Sequence, residues 1–515
     1  MTSSRRDLGD FQTPVELAAE VLSAVGYSGE RFPRVLEPTC GRGNFLVAAS
    51  ASEPPPAQLH GIEVQPVHAD EARASLAGSG VPTTIEVGDV FTYDLARIAW
   101  HAEGQLIVIG NPPWVTLSEL SALSSTNVPA RRNIRGVSGI SAMTGDSNFD
   151  IAEYIWMRLL VELRDQDPTI VLLCKTSVAR RALTLAHALR LPLAESKLWR
   201  IDAKKHFGVA ADACALMMRL EQGISEFTCE VYSSLEALEP ETVMGVIDGE
   251  LVARADRYLA VAALDGRSPE TWRSGVKHDL AAVMELKVDG EKLRNGLDEI
   301  VDVEPDFVYP LLKSSDLNAG RSPGSRRVLV TQKRLQEGTD ELREVAPRLW
   351  AYLTAHDASF ASRKSSVYRG RSQFAMFGIG DYTFAPYKVA ISGLYKTPRF
   401  RLLAPVDGRP VIVDDTCYFL PFDTRAEALV VLALLESQPA VDLLESLFFS
   451  DAKRPVTKKL LTRLDLASLA EIVSDEAVTQ ATQDAGAEAV SDEQLQDALA
   501  ALRRKWAGHP QLAMI

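Results

Sequence analysis

The most pointed chemistry in this chain follows a short apolar run. Leu106-Ile107-Val108-Ile109 ends in Gly110, and Asn111-Pro112-Pro113-Trp114 comes directly after it. A side-chain amide oxygen, a backbone carbonyl aimed by two prolines and a flat ring can together grip a planar, amine-bearing ring. They offer two acceptors for its NH2 and one face to stack on. The apolar run reads as a buried strand of a parallel sheet. Proline donates nothing to a sheet ladder, so the chain must leave the sheet at that strand's carboxyl end, where open α/β sheets bind ligands. Alone, the tetrad would serve equally as a strand-ending turn with a packed Trp. The residues upstream decide between the two.

Three acids stand upstream at the ends of further expected strands. Arg34-Val35-Leu36-Glu37 runs into Pro38-Thr39-Cys40-Gly41-Arg42-Gly43-Asn44-Phe45, a strand, glycine loop and helix start. The glycines let the backbone approach a ligand closely. The third glycine of a dinucleotide fingerprint is missing and no Gly-Lys-Ser/Thr follows, so neither standard phosphate loop is present. An acid at Glu37 is wrong for a pyrophosphate and right for an ammonium group. A second strand, Leu59 to Val64, carries Glu63, placed to accept from ribose hydroxyls. A third, Thr83 to Val87, leads into Gly88-Asp89-Val90-Phe91, where Asp89 can accept from an adenine amine. In this order the acids and the loop describe a site for a nucleoside with a cationic, amino-acid-like tail. Ahead of them, Thr13-Pro14-Val15-Glu16 reads as a capping box opening an amphipathic helix that ends near Gly26.

The elements that must hold these residues follow from length and pattern. A chain of 515 residues needs at least two cores. Its 46% hydrophobic and 24% charged residues are globular proportions, and no apolar run reaches the ~18–20 residues that span a bilayer. The opening MTSSRRDLGD is polar, so a secretory signal is not expected and the reading is cytoplasmic. The five cysteines are scattered without C-x-x-C spacing and the eight histidines are dispersed, so neither a disulfide framework nor a metal site is expected. Strands alternating with helices up to about residue 225 predict a doubly wound α/β domain. Asp150 to Leu163 reads as a helix, Ile170 to Cys174 as a fifth strand, and Trp199 to Met218 as two more. Residues 1–10 read as a flexible tail and 116–148 as a long loop that suits a lid or disorder. The acid-rich stretch near 226–260 reads as a linker, and residues 471–515 as an amphipathic helical segment.

Phe11-x-Thr13-Pro14, Glu37-Pro38-Thr39-Cys40-Gly41-Arg42-Gly43-Asn44-Phe45, Glu63, Gly88-Asp89-Val90-Phe91 and Asn111-Pro112-Pro113-Trp114 resemble, in this order, the consecutive motifs of gamma-class N6-adenine DNA methyltransferases of restriction–modification systems. Thr39 departs from the small Ala or Ser common in that loop. The resemblance implies a class I Rossmann-like domain over 11–225 with a mostly parallel seven-stranded sheet, followed by a mixed α+β target-recognition domain over 261–470. It implies S-adenosylmethionine as cofactor, held by Phe11, Thr13, Glu37, Thr39, Gly41, Gly43, Phe45, Glu63, Val64, Asp89, Val90 and Asn111. It implies Asn111, Pro112, Pro113 and Trp114 as the catalytic tetrad. Phe207, between the last two strands of the sheet, matches the position of a ring that stacks on a flipped base; a core-packing Phe is the other reading.

Double-stranded DNA is the partner so implied, although the net charge is −14. The charge is uneven: residues 311–410 hold 17 Lys and Arg against 8 Asp and Glu. A basic segment in an acidic protein is a nucleic-acid signature that the total conceals. Arg363, Lys364, Tyr368, Arg369, Arg371, Lys388 and Lys396, with Lys453 and Arg454 in a later turn, are the expected DNA contacts. A separate restriction endonuclease or defence-system subunit is a further candidate partner, because no nuclease motif stands out in this chain. The sequence leaves monomer and dimer undecided. N4-cytosine DNA methylation, RNA or protein-glutamine methylation, and a non-catalytic DNA-recognition subunit on the same scaffold are the competing functions. A Pro-Cys dipeptide is absent, which disfavours C5-cytosine chemistry.

Overall fold

The computed structural model describes residues 12–115, 150–452, 454–484 and 490–507. The loop expected at 116–148, the tail at 1–10, Phe11 and Lys453 lie outside them. The chain divides into two compact units, Met1–Asp256 and Arg257–Ile515.

The first unit is built on one sheet of ten strands: β1 Arg34–Glu37, β2 Gln58–Glu63, β3 Thr83–Val87, β4 Leu106–Gly110, β5 Thr169–Lys175, β6 Leu193–Asp202, β7 Asp212–Leu220, β8 Thr228–Tyr232, β9 Thr242–Ile247 and β10 Glu250–Val252. Their order is β10-β9-β8-β6-β7-β5-β4-β1-β2-β3. Strands β3, β2, β1, β4 and β5 run parallel, and β7 is inserted antiparallel between β5 and β6. From β1 the chain winds outward through β2 and β3, then returns to the other side of β1 for β4 and β5. The order therefore reverses between β1 and β4, and a crevice opens above their carboxyl ends. Every residue of β2 and β4 is buried, as strands covered on both faces require. One core cluster combines Leu17, Val21 and Leu22 of the first helix with Val35, Ile107, Ile109 and Val171 of the central strands.

Two expectations fail here. The sheet has ten strands rather than seven, because the stretch expected to be a linker forms β8, β9 and β10. Strand β8 pairs in parallel with β6, and β9 and β10 continue antiparallel. The acids of this stretch hid an alternation that buries Cys229 and Val231. The capping box is also not formed: the first helix is Val15–Ala24 and takes no side-chain cap. Thr13 is buried instead, and its carbonyl accepts from Asn44 Nδ2 at 2.6 Å.

The second unit contains two sheets. A four-stranded antiparallel sheet joins Arg273–Ser274, Cys417–Phe422, Tyr387–Ser392 and Phe400–Leu403. A six-stranded sheet is centred on Glu285–Asp289 and Arg326–Leu329. Helix Arg425–Glu436 packs against the first sheet and against the helices Leu466–Ile472, Asp475–Asp484 and Asp492–Trp506, which explains its almost continuous apolar sequence. Asp265 ties this end of the unit together, accepting from Arg463 Nε at 2.9 Å and Tyr258 Oη at 2.6 Å. Among the described residues no helix is long and apolar enough to cross a membrane.

Candidate active site and cofactor cavity

A cavity of about 370 Å³ lies in the first unit at the ends of β1, β2, β3 and β4. Glu37 is the last residue of β1, and the glycine loop carries the chain from it into helix Asn44–Ser50. Gly41 and Gly43 adopt φ of +51° and +79°, a backbone that other residues reach only with strain. Their purposes differ. A Cβ on Gly41 would sit 2.6 Å from Gln12 Oε1 in the cavity wall, whereas one on Gly43 would press on Ala72 Cβ at 3.0 Å. Gly41 is thus a wall of the cavity, and Gly43 lets the loop pack on helix Pro66–Leu76 without itself lining the space.

The three acids have distinct electrostatic settings. Glu63 is fixed by two amides, Gly41 N to Oε2 and Gln65 N to Oε1, each at 2.8 Å. A carboxylate has about four acceptor positions, so capacity for a pair of hydroxyls remains. Asp89 accepts from Phe91 N at 2.9 Å, which folds the Asp89–Tyr93 loop and leaves its second oxygen uncommitted by that bond. Glu37 is 3% exposed and its Oε2 has no hydrogen-bond partner. Burial pushes its carboxyl well above the usual carboxylate range; the Leu46 amide works against this and the neighbouring Glu63 adds to it. Thr39 Oγ1 is also buried without a partner. Orphaned acceptors facing a cavity fit a cationic, hydrogen-bond-donating ligand.

Asn111 follows β4 and lines the same cavity with Pro113, one strand from Glu37. Pro112 is buried and does not line it. Trp114 is also buried, at 8% exposure, and its indole Nε1 donates to Leu173 O at 3.3 Å. Phe207 ends the short helix Ala203–Phe207 between β6 and β7 and meets Trp114 edge to face, with ring centroids 5.3 Å apart. The two rings expected to hold a base are therefore neighbours. Phe207 is half-buried, so it is the more accessible of the two.

Thr13, Glu37, Thr39, Gly41, Phe45, Glu63, Val64, Asp89, Val90 and Asn111 of the expected cofactor set all line the cavity. Gln12, Gln65, His68, Ile151 and Ile155 line it too, and none of them stands in a motif of the sequence. Ile151 and Ile155 belong to helix Ile151–Glu162 at i and i+4 spacing. Periodicity shows that such a face is apolar and is silent on what it covers.

The basic residues of the second unit divide. Lys364, Arg369, Arg371, Lys396 and Arg454 are exposed. Lys388 is not: it is 1% exposed, and its ammonium donates to Ala385 O at 2.7 Å and lies 5.7 Å from the Phe419 ring centroid. It is a core residue and not a phosphate contact, because strand Tyr387–Ser392 is buried on both faces from Lys388 onward. Arg363 is likewise spent on structure. Its guanidinium caps the carbonyls of Ala375 at 2.8 Å and Gln373 at 2.9 Å and stacks 3.7 Å over the ring of Tyr368. The Tyr368 hydroxyl is buried.

The mostly parallel sheet, its switch-point cavity and the acids at successive strand ends are those of a class I methyltransferase. No family model matches the chain. It is 37% identical over 473 residues to the type II methyltransferase M.NspV of Nostoc sp. (strain ATCC 29411 / PCC 7524), an alignment that covers 91% of this chain and 98% of that one. The chain belongs to this family of restriction–modification methyltransferases, and S-adenosylmethionine is its cofactor. Among solved structures, the type IIL restriction–modification enzyme MmeI in complex with DNA matches with a TM-score of 0.54 at 12% identity, covering 95% of this chain and 72% of that one. At that identity the likeness concerns the fold.

Proposed function

We propose that this protein methylates the N6 atom of adenine in double-stranded DNA at a specific sequence. The observation that carries the reading is the juxtaposition of Asn111 and Glu37 in one cavity, at the ends of adjacent parallel strands. An acceptor for an amine thereby faces a cradle for a cationic nucleoside. Glu37 would hold the ammonium group, Glu63 the ribose hydroxyls and Asp89 the adenine amine of S-adenosylmethionine. The bound cofactor supplies an activated sulfonium methyl group.

Adenine N6 is a poor nucleophile because its lone pair is delocalised into the ring. Accepting its two hydrogens at Asn111 Oδ1 and the Pro112 carbonyl favours a pyramidal nitrogen and stabilises the positive charge that develops there. No covalent nucleophile is required, and positioning supplies much of the rest. The base must leave the helix stack to reach the Asn111–Trp114 turn at the edge of the cavity, with Phe207 beside Trp114 as the ring surface that receives it. The exposed cations of the second unit would hold the DNA backbone, and the DNA named in the MmeI structure is consistent with such a partner.

Incubation with tritiated S-adenosylmethionine and unmodified genomic DNA should label N6-methyladenine. Label on cytosine N4, RNA or protein would redirect the assignment. Asn111→Ala should abolish transfer and leave the cofactor dissociation constant within about threefold.

A further inference from the structure

We propose that Lys175 and Asp150 form a latch that positions the Asn111–Trp114 turn for methyl transfer. The inference rests on reading that turn as the catalytic one. The turn has an unusual deficit: Pro112 and Pro113 supply no N–H, and the last ladder pairing of β4 is Gly110 with Leu172. Beyond it, the chain must be held from outside. The first carbonyl after the proline pair, that of Trp114, accepts from Lys175 Nζ at 3.0 Å. Lys175 is the last residue of the neighbouring strand β5.

The same ammonium pairs with Asp150 Oδ2 at 2.7 Å. Asp150 is 5% exposed, and its other oxygen caps helix Ile151–Glu162 by accepting from Ala152 N at 3.1 Å. The amide of Ile151 then donates to Val115 O at 3.0 Å, closing a ring of contacts around the end of the turn. Trp114 is gripped on both sides, its carbonyl by Lys175 and its indole by Leu173 O. One charge-assisted cluster thus ties together the end of β5, the exit of the turn and the start of a helix whose Ile151 and Ile155 line the cofactor cavity. Lys175 and Asp150 are absent from the cavity lining, so they act through the turn, as positioning residues.

The expected signature is a loss in rate without a loss in cofactor binding. Single-turnover transfer from saturating S-adenosylmethionine to unmodified genomic DNA should slow about tenfold to a hundredfold in Lys175→Met, the scale of a small misplacement of reacting groups. The cofactor dissociation constant should stay within about twofold, and Lys175→Arg, which keeps a donor cation, should recover most of the rate. A Lys175→Met rate within twofold of wild type overturns the proposal, as does a rate loss fully matched by loss of cofactor binding. If Lys175→Met does not fold, Asp150→Asn is the second variant. It keeps an acceptor for the helix cap and removes the ion pair, and it should slow transfer in the same sense; an unchanged rate overturns the latch. Asn111→Ala run beside them separates the two levels: an active Asn111→Ala sinks the catalytic reading of the turn, whereas an inactive one beside a fully active Lys175→Met sinks only the latch.

Discussion

Replacing Glu37 by Gln should loosen the cofactor and, in the same protein, stabilise the empty fold. The two effects have one cause. Glu37 is 3% exposed with one oxygen unpartnered, so its charge in the empty protein is uncompensated, and burial raises its pKa. Removing one partner of a buried ion pair costs about 3–5 kcal/mol. At 1.4 kcal/mol per decade, that is roughly two to three and a half decades in dissociation constant. The lower end applies wherever the wild-type carboxyl is protonated in the empty protein, because it must then give up a proton to take the ammonium group. Titration calorimetry with S-adenosylmethionine should show wild-type affinity rising as pH climbs through the raised Glu37 pKa and falling again where the ligand's own amine deprotonates, and a weaker affinity without that rise for Glu37→Gln. For the empty protein the sign is opposite. A carboxyl with a raised folded pKa contributes its full stability below the unfolded pKa of ~4.3 and loses it as pH rises through the folded value. Thermal melts should therefore show no advantage of Glu37→Gln near pH 4 and a growing one above it. A variant whose dissociation constant lies within threefold of wild type, with the same pH slope, would refute the assignment of Glu37 to the ammonium group.

Arg158 is buried in helix Ile151–Glu162, donates to the carbonyls of Val90 and Tyr93, and pairs with both oxygens of Glu162. Arg158→Met should free the Asp89 loop and raise the KM for S-adenosylmethionine about tenfold with a smaller change in kcat; steady-state kinetics with an unchanged KM would contradict this. Lys388→Met should stabilise the protein. Burial pulls the Lys388 pKa down to about 7, so its contribution is present above the unfolded value of ~10.4 and lost as pH falls towards 7; melts of the variant between pH 7 and 10 should lose that slope. DNA affinity should be unaltered in Lys388→Met. By contrast, Arg371→Gln with Lys396→Gln should reduce the slope of log K against log salt by about 0.9 for each phosphate that the variant no longer neutralises.

The fold class and the residues that meet in the cavity were both legible, whereas the strands and contacts around them were not. Acids at strand ends and a glycine loop are local signals, because each depends on a few neighbouring residues, and most of the expected set meets in one cavity. What escaped depends on tertiary placement. Strand β8 carries Glu230 on its outer face, so composition argued for a linker while alternation argued for a strand. Lys388 reads as surface by residue type, and only the placement of its strand, with Val389, Ala390 and Ile391 also buried, puts it in the core. The long-range contacts of Lys175 leave no local pattern, since its partners lie 25 and 61 residues away.

Strands β8 to β10 also bear on how such enzymes could be recombined. Because β8 pairs with β6 and β5 with β7, the β6–β7 hairpin, whose connection carries Phe207, is flanked by strands on both sides. A chimera joined at residue 226, where composition marks a seam, would strip β6 of that neighbour and leave its backbone as an open, adhesive edge. A splice placed after Val252 keeps the sheet intact. A second unit exchanged between relatives would best be grafted about twenty-five residues downstream of the seam suggested by sequence composition.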